Sequence, residues 1–99
     1  MNKKQEILNW LDKIDKVRNL IRIKEPIYYN ELALRKNCNC VYKFLTDCSK
    51  EKQKNLPIPP NWERIPTLIL KSNLITLVEL FESLADRCIE VRQLVESKR

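Results

Sequence analysis

Three cysteines fall within eleven residues, at Cys38, Cys40 and Cys48, and a fourth follows at Cys88. Thiolates this close together raise the question of metal chemistry first. Structural zinc sites set their cysteines in C-x2-C knuckles at turns. Here the spacing is C-x-C inside a helical pattern, where positions two apart lie ~200° apart around the axis. Cys38 and Cys40 then face opposite sides and cannot share an ion. The sequence has no histidine to complete a mixed site or to activate a nucleophile. It also has no glycine, which removes the phosphate-cradling loop, the dinucleotide fingerprint and the tight nucleophile turn. Glu82, Asp86 and Glu90 recur four apart, interleaved with Arg87 and Arg92, as on a solvated helix face. The expectation is a chain with no catalytic residue, no metal ligand set and no cofactor, and hence not an enzyme.

A different chemistry is carried by lysine. Lys36, Lys43 and Lys50 recur every seven residues, Lys54 follows, and Arg35 and Asn39 border the line. On a helix a heptad advances ~10.5 Å along the axis, so such a row can track a phosphate backbone. Tyr42 stands beside Lys43, and Tyr28-Tyr29 precede the same segment. Aromatic rings among lysines can stack on unpaired bases. The candidate nucleic-acid set is therefore Arg35, Lys36, Asn39, Tyr42, Lys43, Lys50 and Lys54, with Lys3, Lys4, Lys13 and Lys16 able to extend it. The charge balance agrees. The chain carries 19 basic and 13 acidic residues, a net charge of +6. Residues 1–25 hold seven basic and four acidic groups, residues 26–56 six and three, and residues 57–99 six and six. All the excess lies in the first 56 residues, which suits a surface facing a polyanion and binding through counterion release. The plainer reading is a solvated lysine face.

A second candidate surface is apolar. Trp62, the prolines before it, and Ile65, Leu68 and Ile69 form a segment rich in apolar side chains for so small a protein. A protein partner at Trp62, Ile65, Leu68 and Ile69 is one expectation. Trp62 folding back as a lid on the bundle end is the other.

These residues need elements to position them. Ile7, Trp10, Ile14, Val17 and Ile21 are spaced 3, 4, 3, 4, one face of a helix over about 2–24, widened by Leu8, Leu11 and Leu20. Pro26 disfavours helical geometry at Glu25 and ends it. Asn30 is a candidate N-cap for a second helix over about 31–53. Its inner stripe is Leu34, Cys38, Val41, Leu45 and Cys48, which makes Cys38 and Cys48 small core hydrophobes. Asn55-Leu56-Pro57-Ile58-Pro59-Pro60-Asn61 reads as an extended, stiff connection. Asn61 is expected to cap a short turn through Ile65. Pro66 then suits the first turn of a third helix over about 66–97. There Leu70, Leu74, Leu77, Phe81, Leu84, Cys88, Val91 and Val95 hold an unbroken 4, 3 alternation, with a bend allowed at Lys71-Ser72-Asn73. The half before Phe81 is apolar nearly all round and is expected to be buried between neighbours. The fold expected is all-α, an antiparallel bundle of three main helices in one domain, 1–99. No apolar run approaches the ~20 residues of a membrane span. The charged start lacks a secretory h-region, so a cytoplasmic protein with reduced thiols is expected.

A short, basic, glycine-free helical chain with this lysine row and a long helix from Pro66 to Lys98 resembles the small helical subunit of CRISPR ribonucleoprotein effector complexes. The resemblance is architectural and covers the whole chain. It implies a non-catalytic subunit that steadies a guide–target duplex or a displaced strand through basic side chains. Its partners would be nucleic acid and other protein subunits, copies of itself among them. The alternative from a different class is a helical adaptor or regulator, of the homo-oligomeric or the antitoxin or phage type, whose target is a protein.

Overall fold

The computed structural model describes residues 3–52 and 61–97, with side chains described outside 49–52. Within that span the chain is all-helical: α1 is Lys3–Arg22, α2 is Glu31–Lys52, α3 is Ile65–Lys71 and α4 is Leu74–Ser97, with a single 3₁₀ turn, Trp62–Arg64, leading into α3. The proline-rich connection 55–60 and Lys54 lie outside the described residues.

Local chemistry explains each boundary. α1 ends in a Schellman-type closure: Glu25 N–H donates to the Leu20 carbonyl at 3.0 Å and Lys24 N–H to that of Ile21 at 3.0 Å. The motif needs a left-handed residue, and in a chain without glycine Lys24 takes it, at φ 59°. α2 opens as expected, with Asn30 Oδ1 accepting the Ala33 N–H at 2.9 Å. Asn61 acts differently from expectation. Its backbone carbonyl, not its side chain, accepts the Arg64 N–H at 3.0 Å, and there is no side-chain cap. Pro66 occupies the first turn of α3.

The expected helix 66–97 is two helices. Ser72 is extended (φ −80°, ψ 149°), and its N–H and hydroxyl both turn back to the Leu68 carbonyl. Asn73 Oδ1 then accepts the Thr76 N–H at 3.0 Å and caps α4. The break changes which residue faces inward. Leu70, placed on the core stripe by the continuous heptad, is 72% exposed, while Ile69 is buried. It also reverses the chain. Trp62 reaches Thr46 and Ser72 reaches Arg35, so the turn and α3 run back along α2. From there α4 runs parallel to α2, with Cys38 Sγ contacting the Leu77 carbonyl at 3.7 Å. α1 is antiparallel to α4, as the Arg18–Asp86 and Arg92–Asp12 pairs show.

α4 is the central element, packed against both α1 and α2. Its Leu77, Phe81, Leu84, Ala85, Cys88, Val91 and Val95 join one core cluster with Leu34, Cys38, Val41, Leu45 and Cys48 of α2 and Leu11, Ile14 and Ile21 of α1. The α2 stripe read from spacing is the stripe that is buried. Each Leu, Ile, Val or Phe among them contributes about 1.5–3 kcal/mol on leaving water. Two expectations fail at the edges of this core. Trp10, assigned to the α1 stripe, is 47% exposed, because Leu11 takes the inward position. The apolar segment before Phe81 is not buried all round, since Leu68 and Ile75 stand in water as well as Leu70.

Candidate nucleic-acid interface

The outer face of α2 follows from its inner one. Leu34, Cys38, Val41, Leu45 and Cys48 face the core, so the helix turns Lys36, Asn39, Cys40, Lys43 and Asp47 to solvent. Lys36 and Lys43 stand one heptad apart on that face, and neither joins an ion pair with a described residue. Asp47 lies on the same line, one turn beyond Lys43, and interrupts the positive row. The side chain of Lys50 and all of Lys54 lie outside the described residues.

Arg35 and Tyr42 are engaged elsewhere. Arg35 donates to Glu31 at 3.0 Å and to the Ser72 carbonyl at 2.9 Å, closing the α3–α4 turn against α2; its Nε is buried without a partner. It is an internal brace, not a member of the outer row. Tyr42 stacks on Trp62, ring centroids 4.7 Å apart and planes 30° apart. The Trp62 indole N–H donates to Thr46 Oγ1 at 3.1 Å. On that face a base could reach Tyr42 only by displacing the tryptophan. The same contact folds Trp62 back onto the flank of α2, against Tyr42 and Thr46, and not over the bundle end. Of the expected partner set, Ile69 is in the core, Trp62 and Ile65 are half-buried, and only Leu68 is exposed.

The other basic side chains separate into two classes. Five arginines are tied to carboxylates, three of them across the α1–α4 seam. Arg18 and Arg22 converge on Glu82 at 2.7 and 2.9 Å, Arg18 also reaches Asp86 at 2.6 Å, and Arg92 reaches Asp12 at 2.8 Å and Asp15 at 3.3 Å. Arg35–Glu31 and Arg87–Glu90 are pairs within helices. The hydrogen bond from Arg22, reinforced by Arg18, holds the Glu82 carboxyl below its usual range against the opposing effect of burial. The carboxylates read from spacing as a solvated ridge are thus partly an interhelical clasp. Lys36 and Lys43, by contrast, are exposed, while Lys13 and Lys24 lie over the Trp10 and Tyr29 rings.

The thiols divide as their spacing predicts. Cys38 is buried and Cys40 exposed, on opposite sides of α2. Burial pushes Cys38 up to about 12 and, with Cys48 and Asp15 nearby, Cys88 up to about 12. Both stay protonated thiols, poor as nucleophiles and as metal ligands.

One feature has no counterpart in the sequence reading. α1 and α2 both dock on α4 more extensively than on each other, and a groove of about 440 Å³ opens between them around Trp10 and Phe44. It continues into a smaller hollow of about 80 Å³ along Val17, Asn37, Cys40 and Val41, with Phe81 of α4 in its lining. The Trp10 and Phe44 rings lie 6.2 Å apart, and the Lys13 ammonium sits 5.3 Å from the Trp10 ring centre. The adjacency of Trp10 and Leu11, which compete for one inward position, was the available signal. No helix among the described residues is long and apolar enough to cross a membrane. Comparison with protein families, curated proteins and solved structures finds no match for this chain.

Proposed function

We propose that the chain is a non-catalytic protein that binds nucleic-acid backbone without sequence preference, as a subunit of a larger ribonucleoprotein assembly similar to the CRISPR effector complexes its architecture resembles. The observation that carries this reading is the contrast between the two kinds of cation. Five of the described arginines are engaged with carboxylates, and Arg18, Arg22 and Arg92 hold α1 to α4. Lys36 and Lys43 stand in water on one face of α2, a heptad apart, with no ion-pair partner among the described residues. Ammonium groups held on a rigid helix and left unpaired can replace condensed counterions on a phosphate chain. A cytoplasmic setting accompanies the proposal, since all four cysteines are free thiols.

The test is binding of a labelled oligonucleotide by anisotropy over a range of salt. Changing Lys36, Lys43 and Lys50 together to Glu is expected to weaken binding at least tenfold and to flatten the salt dependence by about two to three units of log–log slope. Unchanged binding would reduce the row to a solvated face. A protein-binding adaptor remains the second reading, favoured by Leu32, Leu70 and Ile75, each at least 70% exposed. Native pull-down of a tagged copy separates the two: a ribonucleoprotein in one case, a single protein in the other.

A further inference from the structure

We infer that the groove between α1 and α2 is a stacking site for an unpaired base, with Trp10 as its platform, so that the nucleic acid bound is single-stranded. The inference rests on the polyanion reading above and assigns it a place. Trp10 is 47% exposed beside the buried Leu11 and lines the groove, so α1 offers it an indole ring. Phe44 packs beside it from α2, ring centroids 6.2 Å apart and planes tilted by 32°, so the two rings make one aromatic wall. The small hollow beside them, lined by Ile14, Val17 and Val41 with Phe81, makes that side of the groove apolar.

The rim has the charge a strand needs. The Lys13 ammonium lies 5.3 Å from the Trp10 ring centre, an exposed contact that a stacked base would displace towards the phosphates, and Lys3 also lines the groove. On the α2 side Lys36 and Lys43 each precede a groove residue, Asn37 and Phe44, and so project ~100° further round towards solvent. Bases can therefore turn inward while phosphates follow the lysines outside. Glu6 and Asp47 also line the wider part of the groove. They oppose a phosphate there and direct the backbone towards Lys13, Lys36 and Lys43. A duplex hides its base faces and cannot use the groove. The ring read from sequence as the stacking residue, Tyr42, is covered by Trp62, which leaves Trp10 as the accessible indole.

The experiment uses the full chain with Trp62→Phe, which makes Trp10 the only tryptophan. It is titrated with oligothymidylate, with oligouridylate and with a matched duplex, following both tryptophan emission and anisotropy of the labelled strand. The expected result is quenching of Trp10 that tracks binding of either single strand, and weaker binding of the duplex. Trp10→Ala, checked for helix content by circular dichroism, is expected to lose about tenfold in single-strand affinity with an unchanged salt slope. Binding without quenching, or equal affinity for the duplex, overturns the stacking site and leaves the lysine row intact. Absence of binding overturns both readings. A Trp10 emission shift that depends on protein concentration alone would overturn the inference in favour of a second copy in the groove.

Discussion

Glu82 shows how a single side chain can be misread from its spacing. On α4 it belongs to a ladder with Asp86 and Glu90, and a helix considered alone leaves all three in solvent. In the folded chain it accepts two bonds from Arg22, both at 2.9 Å, and one from Arg18 Nε at 2.8 Å. Three charge-assisted contacts on one carboxylate, two of them a bidentate fork from Arg22, place it above the usual exposed pair. Glu82→Gln is expected to cost about 1 kcal/mol at neutral pH, since the seam remains partly open to screening. The folded carboxyl titrates below its usual value, so its contribution is full above the unfolded pKa of about 4.3 and fades as pH falls through the folded one. Urea unfolding of both proteins at pH 7 and at pH 3 checks this. The gap between them should be clear at the first and narrowed at the second. A gap unchanged with pH would mean the carboxylate charge plays no part.

The break between α3 and α4 decides the topology at the level of elements. Residues 70–95 repeat at heptad spacing without interruption, and that regularity hides a reversal of direction. Ser72 and Asn73 carry the local signal, because both side chains compete with helical hydrogen bonds. What they do with it depends on Arg35, 37 residues away, which donates to the Ser72 carbonyl. No local pattern encodes that contact, so the bend was legible and the turn was not. The stripe of α2 and the N-cap at Asn30 were legible because one helix and its own neighbours determine them. Trp10 was not, since its place depends on how far α1 stands from α2. Asn73→Ala should remove the α4 cap and cost about 1 kcal/mol by denaturant titration. Asn73→Ser should recover most of that loss. If alanine is neutral, then packing of Ile69 and Leu77, not the cap, holds the turn.

Considered as a whole molecule, the bundle has two dissimilar ends. The groove around Trp10, Phe44 and Cys48 opens where α1 begins and α2 finishes. At the opposite end lie the close of α1, the loop to α2, and the α3–α4 turn braced by Arg35. Ile23, Ile27, Leu32, Leu70 and Ile75 all belong to this end, and each is at least 70% exposed. Exposed apolar residues scattered singly need no explanation, but five in neighbouring segments are what the proposed protein contact would cover. This division suits a subunit that holds a strand along one part and its neighbours at another. Lys3, Lys13 and Lys43 stand towards the groove, while Lys24 and Lys71 are exposed among these aliphatic side chains. Leu70→Lys with Ile75→Lys is therefore expected to leave stability within about 0.5 kcal/mol, as surface substitutions do. Oligonucleotide affinity should be kept or slightly raised by the added charge. Sedimentation velocity at rising concentration is expected to show reversible self-association of the parent chain and none of the double variant. Should the parent stay monomeric throughout, the apolar end belongs to a different protein, and the same double substitution should then remove that protein from a native pull-down while nucleic acid remains.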